Sequence, residues 1–222
     1  MGGGWALGEL VPDIEADSTM GHIKVRDYCK ESGWTIIFSH PGDYTPVCTT
    51  ELGKIAAYNP EFEKRGVKLL GLSTDSVEDH QGWIKDIESY TPGAPVLYPI
   101  LADPDRKITV ALNMMDPDEK DANGRPLASR ALHIVGPDCR LKLSFLYPGT
   151  TGRNFDEVLR VLDSLQLASR HKIATPANWQ KGEPVVISPS VSDEKAKQMF
   201  PQGWETVNLP SGQPYLRMTF VE

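Results

Sequence analysis

Apolar positions fall into two periods along this chain. Trp34–Ser39 (WTIIFS) and Val67–Ser73 (VKLLGLS) are short apolar, β-branched runs, and each predicts a buried strand. After the loop signal His40-Pro41-Gly42-Asp43, residues 48–58 carry Leu52, Ile55 and Ala56 at helical spacing. Pro46 suits the start of that helix, where a missing N–H costs little, and Pro60 is expected to end or kink it. Ser76 and Asp79 form a capping-box pattern for a helix whose inner face holds Val77, His80, Ile84 and Ile87. Residues 98–101 predict a short strand and 103–112 a helix, whereas the polar 117–126 stretch predicts a surface loop. Arg130–Val135 and Leu141–Tyr147 predict a hairpin, and Asn154 with Glu157 caps a further helix. Strands alternating with helices predict an α/β fold, a central sheet flanked by helices.

The pattern changes after Arg170. Six prolines punctuate a tail with short strands at Val185–Ile187 and 216–221 and a helix near 192–200. The tail is too short to promise a core of its own, so it is expected to pack on the main domain or on a second chain. The domains expected are 1–170 and a C-terminal extension, 171–222.

Composition narrows the function. The 222 residues are 40% hydrophobic and 24% charged, as in ordinary globular proteins. A net charge of -7 argues against a nucleic-acid partner held through phosphates. No basic region followed by an apolar run opens the chain, no stretch is apolar enough to span a membrane, and a cytoplasmic location is expected, with no membrane contact indicated. The three cysteines, Cys29, Cys48 and Cys139, form no CxxC pair or zinc knuckle, and a buried, idle thiol is the plain reading for each. The carboxylates of 116–121 lack the spacing of a calcium loop. His80 and His133 read as structural.

Cys48 is the exception. It follows a buried strand and a loop and opens a helix, whose N-terminal partial charge favours thiolate over thiol. Thr45 lies three residues earlier, where its hydroxyl can reach the sulfur or a substrate oxygen.

The stretch HPGDYTPVCTTE resembles the active-site signature of peroxiredoxins, Pro-x-x-x-Thr-x-x-Cys, here Pro41, Thr45 and Cys48. The stretch from Ser129 to Leu167 resembles the family's second half, with its arginine at Arg130, and ATPANW and YLRMTF resemble the C-terminal domain of the one-cysteine, peroxiredoxin-6-like subfamily. The resemblance implies a thioredoxin-like fold and a thiol-specific, antioxidant peroxidase that reduces hydrogen peroxide and organic or lipid hydroperoxides. Cys48 would attack the O–O bond and become a sulfenic acid. Thr45 would accept a hydrogen bond from the peroxide, while Arg130 and the N–H groups of Val47 and Cys48 would stabilise the thiolate and the charge developing on oxygen. Pro41 would exclude water, His40 would orient groups or relay protons, and Arg153 would order the pocket through Glu51. The resemblance implies no metal or organic cofactor. With no second cysteine in a Val-Cys-Pro context, it also implies reduction by an external small thiol such as glutathione, and a homodimer.

Some subfamily members also hydrolyse phospholipids with a Ser, a His and an Asp. Ser32 and Asp138 match two of these, but Arg26 stands at the histidine position, and an arginine does not serve as general base. Hydrolase activity is therefore disfavoured. A redox sensor or holdase is the other alternative.

Overall fold

The computed structural model describes residues 4–31 and 33–221. They group into two compact units, Met1–Phe155 and Asp156–Glu222.

The first unit begins with a hairpin, β1 (Glu15–Ser18) and β2 (Gly21–Lys24), and a short helix α1 (Val25–Lys30). Then come β3 (Trp34–Ser39), α2 (Pro46–Lys64), β4 (Val67–Ser73), α3 (Val77–Tyr90), β5 (Ile100–Ala102) and α4 (Lys107–Ala111). A ribbon of β6 (Met115–Lys120) and β7 (Pro126–Ala128) precedes β8 (Arg130–Val135) and β9 (Leu141–Tyr147). Seven strands form one sheet in the order β2-β1-β5-β4-β3-β8-β9. β3, β4 and β5 are parallel, and β8 runs antiparallel to β3 with Phe38 opposite Leu132. The central strands are buried on both faces, which is why they read as continuous apolar runs rather than as alternation.

Three expectations change. Helix α2 does not stop at Pro60 but runs through it to Lys64. Pro60 removes one backbone donor. The last turn is nonetheless anchored by buried Phe62 and by Asn59 donating to Glu63 at 2.7 Å and Lys64 to Glu61 at 2.6 Å. The 117–126 stretch is not all loop, because β6 and β7 pair with a register shift between Asp116 and Lys120. Pro117 sits in that irregularity, in an isolated two-strand ribbon that loses little from a missing N–H. Helix α4 begins only at Lys107. Asp103 accepts from the backbone N–H groups of Ile108 and Thr109, at 3.1 and 2.7 Å, and from the Thr109 hydroxyl.

Helix α5 (Phe155–Arg170) falls almost wholly in the second unit, so the division lies ahead of the expected boundary at residue 170. That unit adds β10 (Ile173–Ala174), β11 (Val185–Ile187), α6 (Asp193–Met199), β12 (Glu205–Thr206) and β13 (Arg217–Thr219). Its strands form a four-stranded sheet in the order β10-β11-β13-β12. The tail does own a small core: Leu167, Trp179, Val185, Ile187, Val191 and Phe200 are buried in one cluster. Leu167 joins this cluster from helix α5, and its other members come from the tail itself. Buried Arg217 braces the cluster's rim by donating to Asp193 at 2.7 Å and to the Val191 carbonyl at 2.6 Å.

Among the described residues no helix is long and apolar enough to cross a membrane.

Candidate active site

The site forms where β3 ends. His40 leaves the strand with its backbone N–H on the Leu72 carbonyl at 3.1 Å. The chain then turns tightly, and Tyr44 takes a positive φ of 56°. Thr45 is extended and serves as N-cap of α2, with Pro46 following it at the helix start. Thr45 makes no side-chain cap bond. Its hydroxyl instead donates to the Gly42 carbonyl at 2.7 Å, which leaves its oxygen able only to accept. Cys48 thus lies in the first turn, where backbone N–H groups lack helical partners and positive partial charge gathers.

Cys48 is fully buried. Arg130, at the start of β8, donates from Nη1 to its Sγ at 3.2 Å and to Glu51 Oε2 at 2.8 Å. The guanidinium is braced from behind by Nε on the Gly149 carbonyl at 2.8 Å. Glu51, one helical turn after Cys48, also binds Arg153, as the sequence suggested. Arg153 donates to Oε1 from its backbone N and from Nε, both at 2.8 Å, and to Oε2 from Nη2 at 3.0 Å. Its Nη1 reaches the carbonyls of Ser39 and Ala131. Burial alone would push the Glu51 carboxyl up, but the charge and hydrogen bonds of Arg153, with Arg130, outweigh it and hold it below its usual range. Burial alone would likewise lower Arg130, and the facing Cys48 and Glu51 raise it instead. Two guanidiniums against one carboxylate leave one positive charge, and the group is balanced when Cys48 is a thiolate. A cleft of about 650 Å³ lined by Thr50, Glu51, Lys54, Thr91, Gly152 and Arg153 reaches this ion group from outside.

His40 is buried behind the turn, its ring 4.9 Å from that of Trp83. Trp83 in turn donates to the Thr49 hydroxyl at 3.1 Å, beside Cys48. His40 Nε2 lies 2.7 Å from Asp43 Oδ1, and His80 Nδ1 lies 2.5 Å from Asp43 Oδ2. The sequence reading missed Asp43 and took His80 as structural. The signal available was a histidine on an otherwise apolar helix face. Burial would raise the Asp43 carboxyl, but the hydrogen bonds from His40 and His80 win and hold it at about 2. These three residues offer ligand atoms within 4.8 Å of one another. The hydrogen bonds they make to each other already account for that closeness. Pro41 is half-buried, and so is Val47.

The other cysteines are placed differently. Cys29 and Cys139 form no disulfide and are buried in the apolar cluster around Val25, Leu70 and Leu141. Burial pushes the Cys29 thiol up to about 12. Of the hydrolase candidates, Ser32 lies outside the described residues. Arg26 donates to the Val11 carbonyl at 2.9 Å, and Asp138 is held by Lys142 at 2.6 Å.

Residues 7–144 match the AhpC/TSA family, and residues 164–203 match the C-terminal domain of 1-Cys peroxiredoxin. The chain is 92% identical to a probable 1-Cys peroxiredoxin of Syntrichia ruralis over 222 residues, the whole of both chains. It is 65% identical to a 1-Cys peroxiredoxin of Medicago truncatula over 218 residues, 98% of this chain and 99% of the other. The crystal structure of a cysteine-to-serine mutant of peroxiredoxin 6 from Arenicola marina superposes with a TM-score of 0.94 at 51% identity, covering 98% of each chain. A yeast mitochondrial 1-Cys peroxiredoxin, solved to explain thiol resolution by glutathione and thioredoxin systems, gives 0.87 at 40% identity over 97% of this chain and 99% of that one. The chain therefore belongs to the AhpC/TSA family and, within it, to the 1-Cys peroxiredoxins, thiol-dependent peroxidases of the thioredoxin fold.

Proposed function

We propose that Cys48 is the peroxidatic nucleophile and that hydrogen peroxide and small organic or lipid hydroperoxides are its substrates. The observation that carries this reading is the buried charge balance of Arg130, Arg153, Glu51 and Cys48. The Cys48 thiolate attacks one peroxide oxygen, an S–O bond forms as the O–O bond breaks, and the departing oxygen leaves as water or alcohol once protonated. Thr45 accepts the peroxide O–H. Arg130 and the N–H groups of Val47 and Cys48 donate toward the oxygens, where charge builds up. His40 receives or passes the proton, Pro41 limits water entry, and Arg153 holds Glu51. The resulting sulfenic acid condenses with an external thiol, releasing water, and a second thiol frees Cys48 as the donor leaves oxidised. Glutathione is the donor class we favour, supported by the yeast relative solved for its glutathione and thioredoxin resolution.

We also place the protein in the cytoplasm as a homodimer. Cys29, Cys48 and Cys139 form no disulfide, which suits a reducing compartment. Exposed Tyr215 and Phe220 in the second unit, and Leu146 on edge strand β9, offer apolar surface to a second copy.

The test is peroxide treatment followed by trapping with a sulfenic-acid reagent and mass analysis. The adduct is expected on Cys48. An adduct confined to Cys29 or Cys139 would overturn the assignment.

A further inference from the structure

His80 Nε2 lies 3.1 Å from the Leu101 carbonyl, an oxygen that only accepts, so this nitrogen carries a proton. Its other nitrogen faces Asp43 at 2.5 Å, and that contact also needs a proton. A neutral histidine has one proton for its two nitrogens. The pair therefore holds one more proton than a neutral imidazole beside a carboxylate, and with Asp43 held ionised it belongs to His80. On the other side, His40 Nε2 faces the same carboxylate and must donate. His40 Nδ1 is then left buried with no hydrogen-bond partner. A second proton there would be a buried, unpaired donor on a second buried cation, so the neutral form with a free lone pair is favoured. His133 is the contrast: its Nε2 also donates to a carbonyl, of Leu112, but its Nδ1 meets the Ser144 hydroxyl, which supplies the proton, and burial holds His133 down at about 4.

We propose that His80 is a positioning residue of the peroxidase site: as a buried imidazolium it completes Asp43, which fixes His40 as the Nε2–H tautomer and presents Nδ1 as a ready acceptor. The surroundings fit this assignment. From the loop after β4, Asp75 accepts from the Asp43 backbone N–H at 3.0 Å and from the Ser73 hydroxyl at 2.6 Å, fixing the turn that carries Asp43. From α3, Trp83 lies tilted against His40, and from α2, Thr49 receives the Trp83 N–H. On α3 itself Asp79 is occupied by the Ser76 cap. The catalytic part of the inference rests on the reading of His40 given above.

Nitrogen-15 spectra of the histidine-labelled full chain decide the protonation states directly. At neutral pH both His80 nitrogens are expected to bear protons, and His40 only Nε2. A singly protonated His80, or His40 as the Nδ1–H form, would overturn the proposal. His80→Asn keeps a donor toward Asp43 but removes the charge. It should lower kcat/KM for peroxide by about tenfold, the equivalent of one hydrogen bond to a charged group, and alter the pH–rate profile. Asp43→Asn should do the same. Unchanged rates and profiles in both, with the expected spectra, would remove His80 from the reaction. Should neither variant fold, the wild-type spectra still decide. A normal rate in His40→Asn would instead sink the reading of His40 and leave Cys48 as nucleophile untouched.

Discussion

Glu51 takes three hydrogen bonds from Arg153, two on one carboxylate oxygen and one on the other. One of these comes from the Arg153 backbone, so the segment after β9 is tied to helix α2 whatever the arginine side chain does. Glu51→Gln keeps the shape and removes the charge. Breaking one member of a buried ion group typically costs about 3–5 kcal/mol. Urea unfolding should show a loss of that order, with peroxide turnover falling as Arg130 loses its second partner. A variant as stable and active as the parent would show that the ion group is dispensable.

Cys48→Ser should abolish peroxide consumption, whereas Cys29→Ser and Cys139→Ser should retain it. Cys29 is buried, and its thiol is pushed up to about 12, which leaves it almost no thiolate at neutral pH. Loss of turnover in Cys139→Ser would reveal a resolving role for that thiol.

Arg130→Met preserves bulk and removes the donor that faces Sγ at 3.2 Å. Both peroxide attack and alkylation of Cys48 at neutral pH should slow by at least about tenfold, since a charged hydrogen bond to the nucleophile is lost. Slower peroxide attack with unchanged alkylation would place Arg130 on the peroxide oxygen rather than on sulfur.

Acid should weaken the fold in two stages. His133 is lowered from 6.5 to about 4, so it stays neutral in the folded state while the unfolded chain takes up a proton. The stability it contributes is present above pH 6.5 and drains away as pH falls toward 4. Asp43, lowered from 3.8 to about 2, stabilises above 3.8, and that contribution, on the order of 2 kcal/mol, is lost as pH falls toward 2. Urea midpoints across this range should fall in both windows. His133→Gln should flatten the upper one alone, and an unaltered slope there would exclude His133 as its source.

Much of this was legible in the sequence because local signals carried it. The buried strands β3, β4 and β8, the edge strand β9 and the Ser76–Asp79 capping box lie where the apolar runs and cap residues put them. The Arg130–Cys48 and Arg153–Glu51 contacts follow the motif resemblance. What escaped depends on tertiary context. Pro60 is carried inside α2 because side-chain bonds and a buried Phe62 outweigh one missing donor. Asp43 and His80 are 37 residues apart, and no local pattern announces a hydrogen bond at that separation. The β1–β2 hairpin carries no apolar run to announce it, because its inward positions are Ala16, Ser18 and Ile23 among polar residues.

The Thr45 hydroxyl spends its only proton on the Gly42 carbonyl. What it shows an incoming molecule is a lone pair, so the partner must supply the hydrogen. Hydrogen peroxide and alkyl hydroperoxides carry an O–H, and dialkyl peroxides do not. The same weak O–O bond is present in all three classes, yet in the mechanism proposed above only the first two would be held against Thr45 while Arg130 addresses their oxygens. One committed proton at the helix start thus acts as a filter on substrate chemistry, separating peroxides by whether they end in hydrogen rather than by how easily they break.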